Sequence, residues 1–155
     1  MADLLECLIQ IKGLADTPRR LAMRAAGFAA AAPSTGDGTA GARDTACALL
    51  SAEARFRRAL DAMLAQEHPA LERLPGDPGG GPERSAAAGP RESFEACERA
   101  FSVARADTIR ILEACTAEQL NRIGLDPSRG PMTVADLVAV MLAHDTDRLG
   151  DLIVR

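Results

Sequence analysis

The residues best suited to chemistry in this sequence lie near its C-terminus, where His144 and Arg148 are four positions apart. Residues at this spacing share one face of an α-helix, and Leu137 and Met141 belong to the same face. A histidine and an arginine beside an apolar helix face need polar partners, because a buried unpaired charge is costly. Glu53, which interrupts the apolar stripe of an earlier helix, is the predicted acidic partner. Such a cluster either fixes the register of two helices or lines a ligand pocket, and the residues leave both interpretations open.

The other candidates for chemistry are a second histidine and four cysteines. His68 precedes a proline, which favours extended backbone and places this side chain near solvent at a helix end. The cysteines, which contain no C-x-x-C pair and therefore exclude zinc-ribbon and thioredoxin-type sites, are Cys7, Cys47, Cys97 and Cys115. Cys97 and Cys115 lie on an apolar helical stripe, so we interpret them as small buried side chains.

Composition and charge exclude several classes of function. The chain has 155 residues with a net charge of −4 and contains neither Tyr nor Trp, which argues against nucleic-acid binding through a basic surface or stacked aromatic rings. It contains no apolar run near the roughly 20 residues that a membrane span needs. Its N-terminal segment lacks the features of a signal peptide, so we expect a cytoplasmic protein. A disulfide framework is not expected in that reducing compartment.

Helical periodicity occurs four times, and strand-type alternation is almost absent. The predicted helices cover about residues 3–31, 44–65, 91–115 and 133–154. Thr17 and Pro18 inside the first region indicate either a second helix start or a kink in one helix. The third helix has the clearest stripe, which consists of Phe94, Cys97, Phe101, Ala104, Thr108, Ile111 and Cys115.

The segments between these helices complete the predicted architecture. Residues 32–43 are expected to form a loop, and the stretch at about 75–90 is rich in Gly and Pro and is interpreted as a flexible connection. Thr116 and Gln119 form a capping-box pattern that starts a short extra helix. The sequence therefore predicts one all-α domain over residues 1–155, a four-helix bundle with a long crossover loop.

Three segments of the chain resemble the DinB-like (YfiT-type) superfamily. The resemblance is carried by residues 130–138 together with 144–149 of the last helix, by residues 53–60 with 68–71, and by residues 16–21. It implies a bundle with up-down-down-up connectivity that is often dimeric. Members commonly bind zinc or nickel through three histidines, one on the second helix and an H-x-x-x-H pair on the last. Characterised members include thiol-dependent transferases and isomerases.

The metal-ligand positions that this resemblance implies are degenerate here. They correspond to Ala48, His144 and Arg148, so His144 is the only retained ligand. Alanine has no donor atom, and an arginine guanidinium cannot lose its proton to bind a metal. Cys47 is a neighbour of Ala48 but is turned by about 100° around the helix. We therefore expect no bound metal, with Arg148 supplying the positive charge in its place to hold either Glu53 or an acidic ligand.

These observations give one main functional hypothesis and two alternatives. The main hypothesis is a DinB-like protein with a lost metal site that is non-catalytic or binds a small molecule, and that forms a homodimer. The first alternative is a zinc- or nickel-dependent or thiol-dependent transferase or isomerase that uses Cys47 with His144. The second alternative is a purely structural interaction protein. The residues do not decide whether the protein is an enzyme, and the pocket candidates are His144, Arg148, Glu53, Ala48, Cys47 and Met141.

Overall fold

The structure, a computed structural model, describes residues 4–31, 37–77 and 92–152, apart from some side chains at the loop between the first two helices. Its elements are α1 (Leu4–Ala31), α2 (Asp37–Ala65), α3 (Phe94–Ala114), α4 (Ala117–Leu120), β1 (Ile123–Asp126), β2 (Gly130–Thr133) and α5 (Val134–Gly150). Helices α1, α2, α3 and α5 form the bundle, and α4 is the predicted short extra helix. The all-α four-helix-bundle prediction is confirmed.

Helices α2 and α3 run parallel, and this explains the long crossover between them. The Cys47–Cys97 disulfide joins the earlier parts of both helices, and the Glu53–Arg105 ion pair joins them further along. Residue numbers increase in the same direction along both helices from the first contact to the second. The chain must therefore return along the length of the bundle between the end of α2 and the start of α3. Most of that return, residues 78–91, lies outside the described residues and contains most of the predicted flexible loop.

Helices α1 and α5 also run parallel to each other. Thr17 donates a hydrogen bond to Asp145, and Arg24, two turns further along α1, donates to the carbonyl of Leu149. The beginning of α3 packs against the end of α5 in one apolar cluster, so these two helices are antiparallel. The connectivity is therefore up-down-down-up.

The bundle has two apolar clusters, one towards each end. The larger is built around Leu14, Phe56, Met63, Leu112, Val138 and Met141. The smaller contains Leu21, Leu49, Cys97, Phe101 and Leu149. Polar side chains occupy the region between them, and these form the candidate site described below.

Pro18 lies inside a single continuous α1, which settles the alternative that the sequence left open. A proline has no N–H, so the carbonyl four residues earlier, that of Leu14, loses its helical donor. Arg105 of α3 lies 3.5 Å from this carbonyl and donates to it through Nη1. The tertiary structure therefore satisfies a backbone group that the proline leaves free.

Two predictions of local structure were wrong. Helix α2 begins at Asp37 rather than near residue 44, because Ala42 and Ala46 pack in the smaller cluster and this packing outweighs the low helix propensity of the nearby glycines. Residues 123–133 form a short antiparallel hairpin, which the sequence analysis did not predict. Strands of four residues are too short for alternation to be visible in the sequence.

The predicted helix starts at Thr116 and Thr133 are confirmed. In both, the threonine hydroxyl accepts from the backbone N–H three residues later, and the side chain of that residue accepts from the threonine N–H, which completes a capping box. The third helix begins at Phe94 with Ser93 as its N-cap. In the described part of the chain, no helix is both long and apolar enough to cross a membrane.

Candidate functional site

A buried ion cluster lies at the centre of the bundle, and its central residue is Arg105 of α3. The guanidinium lies 2.8 Å from Glu53 Oε2 of α2 and 2.6 Å from Asp145 Oδ2 of α5. All three side chains are at most 2% exposed. Three helices thus contribute one charge each to a site from which water is excluded.

Most N–H donors of Arg105 are engaged inside the protein. Nε donates to Glu53 at 2.9 Å, and Nη2 donates to Asp145 and lies 2.8 Å from Glu53. Nη1 donates to Asp145 and to the Leu14 carbonyl. A guanidinium has five N–H groups, and these contacts comprise four hydrogen bonds and one further ion-pair contact. Arg105 therefore holds the bundle together.

The two carboxylates of the cluster have further partners that fix their positions. The hydroxyl of Thr17 on α1 donates to Asp145 at 2.7 Å, and the hydroxyl of Thr108 on α3 donates to Glu53. Each carboxylate thus links two or three helices. The cluster therefore connects all four helices of the bundle, and it does so through Arg105 rather than through the predicted pairing of Arg148 with Glu53.

The protonation of the cluster follows from these contacts. Burial acts to raise the pKa of Asp145, but the neighbouring His144, the charge of Arg105 and the hydrogen bonds from Arg105 and Thr17 outweigh burial and lower it. Burial acts to lower the pKa of Arg105, but the charges of Asp145 and Glu53 raise it. Asp145 and Arg105 therefore stay ionised near neutral pH.

His144 lies beside the cluster and is buried. Its ring packs edge-on against Phe56, with the ring centroids 5.7 Å apart, and its Nδ1 lies 4.0 Å from Asp145 Oδ1. The loop after α2 covers its other side, where a Cβ added at Gly76 would lie 3.7 Å from the ring. Gly76 has φ +82°, a backbone conformation that glycine adopts without strain. The imidazole is thus enclosed by protein.

Arg148 and Met141 occupy the same face of α5 as His144 but in different surroundings. Met141 is fully buried in the larger cluster, whereas a third of the Arg148 side chain is exposed and its Nη1 lies 4.0 Å from Asp151. The predicted pairing of Arg148 with Glu53 is wrong, because Glu53 is held by Arg105. The sequence analysis missed Arg105 because it placed the neighbouring Ala104 on the buried stripe of α3, whereas the structure buries Arg105.

The Cys47–Cys97 pair corrects a second expectation. Cys97 is buried as predicted, but it forms a disulfide with Cys47, with the Cα atoms 5.4 Å apart. The two residues are 50 positions apart in the chain, and only the parallel packing of α2 and α3 brings them together. Cys47 therefore supplies no thiolate beside His144. Ala48, the next residue on α2, is half-buried.

The remaining two cysteines, Cys7 and Cys115, are free thiols. Burial raises the pKa of both, and the proximity of Cys115 raises that of Cys7 further. A raised pKa keeps the thiol protonated, which makes it a poor nucleophile and a poor metal ligand. Both contact the larger apolar cluster, as expected for small buried side chains.

A second polar cluster lies at the hairpin and was not predicted. Arg129 forms ion pairs with Asp77 and Asp126, both of which are buried. Asp126 also accepts hydrogen bonds from the backbone N–H groups of Ser128 and Arg129, which closes the turn between β1 and β2. This cluster attaches the loop after α2 to the hairpin and thereby holds Gly76 over His144. His68, in the same connection, is exposed as predicted, but its φ of 49° lies in the left-handed region and not in the predicted extended one.

A shallow cleft of about 320 Å³ lies between α1 and α3. Its lining is mostly apolar and consists of Ala15, Pro18, Ser102, Arg105, Ala106, Ile109, Arg110 and Glu113. The cleft does not contain the predicted pocket residues, and Arg105 in its wall is already engaged by the ion cluster. We therefore do not regard it as the counterpart of the predicted pocket.

The family's metal does not fit the donor set in this chain. Of the three implied positions, Ala48 and Arg148 cannot bind a cation, and a catalytic zinc site needs three protein ligands with one position left open. Across residues 4–31, 37–77 and 92–152, no group of three or more His, Cys, Asp or Glu side chains is arranged to hold a metal ion. The site is a buried cluster of one guanidinium and two carboxylates beside an enclosed imidazole.

Comparison with known proteins defines the class. The sequence model of the DinB superfamily matches residues 56–152, more than half of the chain, and this protein belongs to the DinB superfamily. Among solved structures it is similar to YfiT from Bacillus subtilis, which is described as a probable metal-dependent hydrolase with an unusual four-helix bundle topology. The match covers 98% of this chain and 86% of that one at a TM-score of 0.73. At 13% identity it establishes the fold alone, and no curated protein matches this sequence.

Proposed function

We propose that this protein is a non-catalytic member of the DinB superfamily, in which an ion cluster takes over the organising role of a metal and the bundle binds a small molecule and a second copy of itself. The observation that carries the proposal is the donor set: alanine and arginine stand at two of the three ligand positions that the family resemblance implies. The buried cluster of Arg105, Glu53 and Asp145 supports it, because protein side chains alone suffice to join three helices there.

Metal analysis of untagged protein tests the first part of this proposal. We expect zinc and nickel well below one ion per chain in the wild type. The double variant Ala48→His/Arg148→His restores the family's donors on the same scaffold, and we expect it to acquire zinc or nickel at close to one per chain. The matched control Arg110→His adds a histidine on exposed α3 surface and should acquire none. Stoichiometric metal in the wild type would contradict the proposal.

The small-molecule part of the proposal places an acidic ligand at Arg148. Its guanidinium is partly exposed on the His144 face of α5, and an arginine binds a carboxylate through two parallel hydrogen bonds. We expect some members of a panel of small carboxylic acids to raise the melting temperature of the wild type and to lose that effect with Arg148→Met. Arg110→Met is the control, because Arg110 also pairs with an aspartate three residues away but lies elsewhere. An equal response of both variants would exclude Arg148 as the site.

Two further expectations belong to this proposal. The transferase or isomerase alternative that used Cys47 with His144 is not supported by the geometry, because Cys47 is bonded to Cys97. We propose a cytoplasmic location, and an intact Cys47–Cys97 disulfide in the cell would contradict it, because structural disulfides are rare in reducing compartments. Alkylation of thiols in intact cells before lysis, followed by mass analysis, reports whether that disulfide exists where the protein is made.

A further inference from the structure

The outer face of α1 is unusually apolar for a surface helix. Leu4, Leu5, Leu8, Ile9 and Met23 are each between 43% and 66% exposed. They account for five of the eight large apolar side chains that are exposed in the described part of the chain. Helix α1 therefore carries a second apolar stripe in addition to the one that enters the core.

The exposed stripe has a regular helical spacing. Leu5, Ile9, Lys12, Asp16 and Met23 follow one another at intervals of three, four or seven residues, which places them on one face of the helix. Lys12 and Asp16 are exposed as well. Along about 27 Å of helix, the face therefore carries apolar, basic, acidic and again apolar side chains, in that order.

We infer that this face is the interface between two copies of the chain, which pack α1 against α1 in antiparallel orientation. A two-fold axis at the level of residue 14 places Lys12 against Asp16 of the second copy and Leu5 against Met23 of the second copy. A two-fold interface must be complementary to itself, and this order of residues meets that condition. A parallel arrangement would instead place Lys12 against Lys12 and Asp16 against Asp16.

The size of the surface agrees with this interpretation. The five exposed apolar side chains present roughly 500 Å² in total, divided between one group at residues 4–9 and Met23 at the other end of the face. A stable interface buries about 800 Å² on each partner. The exposed charged side chains between the two apolar ends, Lys12, Asp16 and Arg19, have to supply the remainder.

The interface deepens the homodimer part of the proposed function, and it is tested separately from the metal. We expect sedimentation velocity between about 1 and 100 μM to show a monomer–dimer equilibrium. Leu5→Glu should raise the dissociation constant at least about tenfold, because it buries a charge among apolar side chains. Val103→Glu is the matched control, since Val103 on α3 is 65% exposed and Leu5 is 66% exposed, and it should change the constant less than about twofold.

The charges test the antiparallel register. Lys12→Asp places an aspartate against Asp16 of the other copy in both symmetry-related pairs and should weaken the dimer about fivefold or more. The double variant Lys12→Asp/Asp16→Lys restores the opposite charges and should recover the dimer. Circular dichroism confirms that each variant remains helical. A wild type that is monomeric at all concentrations, a dimer that Leu5→Glu leaves intact, or a charge swap that fails to recover the dimer would each overturn the inference. Metal in a dimeric protein would contradict the proposed function while leaving this interface in place.

Discussion

Arg105 shows how much one residue can organise in a helical bundle. It lies on the buried face of α3 and is among the largest fully buried side chains in the described part of the protein. Its charge is paired with two carboxylates, those of Glu53 and Asp145, and the ring of Phe101 lies 5.0 Å from its guanidinium carbon. A buried pair of this kind gives little net stability compared with apolar residues, but breaking it is expensive because the remaining charge is left unpaired.

The first prediction at the residue scale is that Arg105→Met destabilises the protein by about 3–5 kcal/mol. It leaves two buried carboxylates without their cation. The triple variant Arg105→Met/Glu53→Leu/Asp145→Leu removes all three charges and should recover much of the loss. Urea denaturation measures both free energies of unfolding. A single variant that loses less than about 1 kcal/mol would show that the cluster does not hold the helices together.

The second prediction concerns pH. The pKa of Asp145 is lowered in the folded protein, so the ionised carboxylate stabilises the fold above its ordinary pKa of about 3.9. This contribution is lost as the pH falls below that value through the folded pKa, by up to about 1.4 kcal/mol per pH unit.

Urea denaturation between about pH 5 and pH 3 checks this loss. Asp145→Asn should show a shallower decline than the wild type, and the exposed control Asp107→Asn should keep the wild-type slope. If Asp145→Asn does not fold, Thr17→Val tests the same point, because it removes one hydrogen bond that lowers the pKa. Equal slopes in all variants would contradict the prediction.

At the scale of elements, the hairpin and the loop after α2 are joined to each other and pack against the core of the bundle. The backbone N–H of Leu71 donates to the carbonyl of Leu125, the N–H of Leu125 donates to the carbonyl of Pro69, and Arg129 joins the two segments through its aspartates. Gly124 of β1 lies so close to the core that an added Cβ would be 2.9 Å from both Leu71 and Met63. The lack of a side chain at this position lets the hairpin approach the bundle.

The third prediction follows from that contact. Gly124→Ala should destabilise the protein by about 1–3 kcal/mol, because the core atoms have to move to make room. The matched control is Gly27→Ala in α1, where nothing lies within 4 Å of the added Cβ. It should be neutral or stabilising by up to about 1 kcal/mol. Thermal unfolding separates the two, and equal effects would mean that the hairpin is more loosely packed than the structure shows.

At the scale of the whole molecule, the up-down-down-up connectivity is the unusual property. Parallel α2 and α3 are joined by a long crossover, and the Cys47–Cys97 disulfide closes that loop covalently. A crosslink over this separation restricts the unfolded chain and typically contributes about 2–4 kcal/mol.

The fourth prediction is that the reductant dithiothreitol lowers the stability of the wild type by that amount. The variant Cys47→Ser should be less stable without reductant and should not respond to it. Thiol titration of the unfolded protein under non-reducing conditions should find two free thiols, those of Cys7 and Cys115. Four free thiols in protein isolated without reductant would show that the disulfide does not form.

The sequence by itself determined the helices and the family. The apolar stripes at helical spacing, the capping boxes at Thr116 and Thr133 and the absence of long alternating segments are local properties, and each is encoded within a few consecutive residues. The same is true of the inability of Ala48 and Arg148 to bind a metal at the positions that the family resemblance implies, because the chemistry of a donor atom depends only on the residue type.

The tertiary structure alone decided which charges and sulfurs meet. Arg105 reaches Glu53 and Asp145, and Cys47 reaches Cys97, because α2 and α3 lie parallel and α5 lies antiparallel to α3. Contacts between residues 40 to 52 positions apart depend on how whole helices pack. That packing is the sum of many weak apolar contacts, and no local pattern of residue types records it.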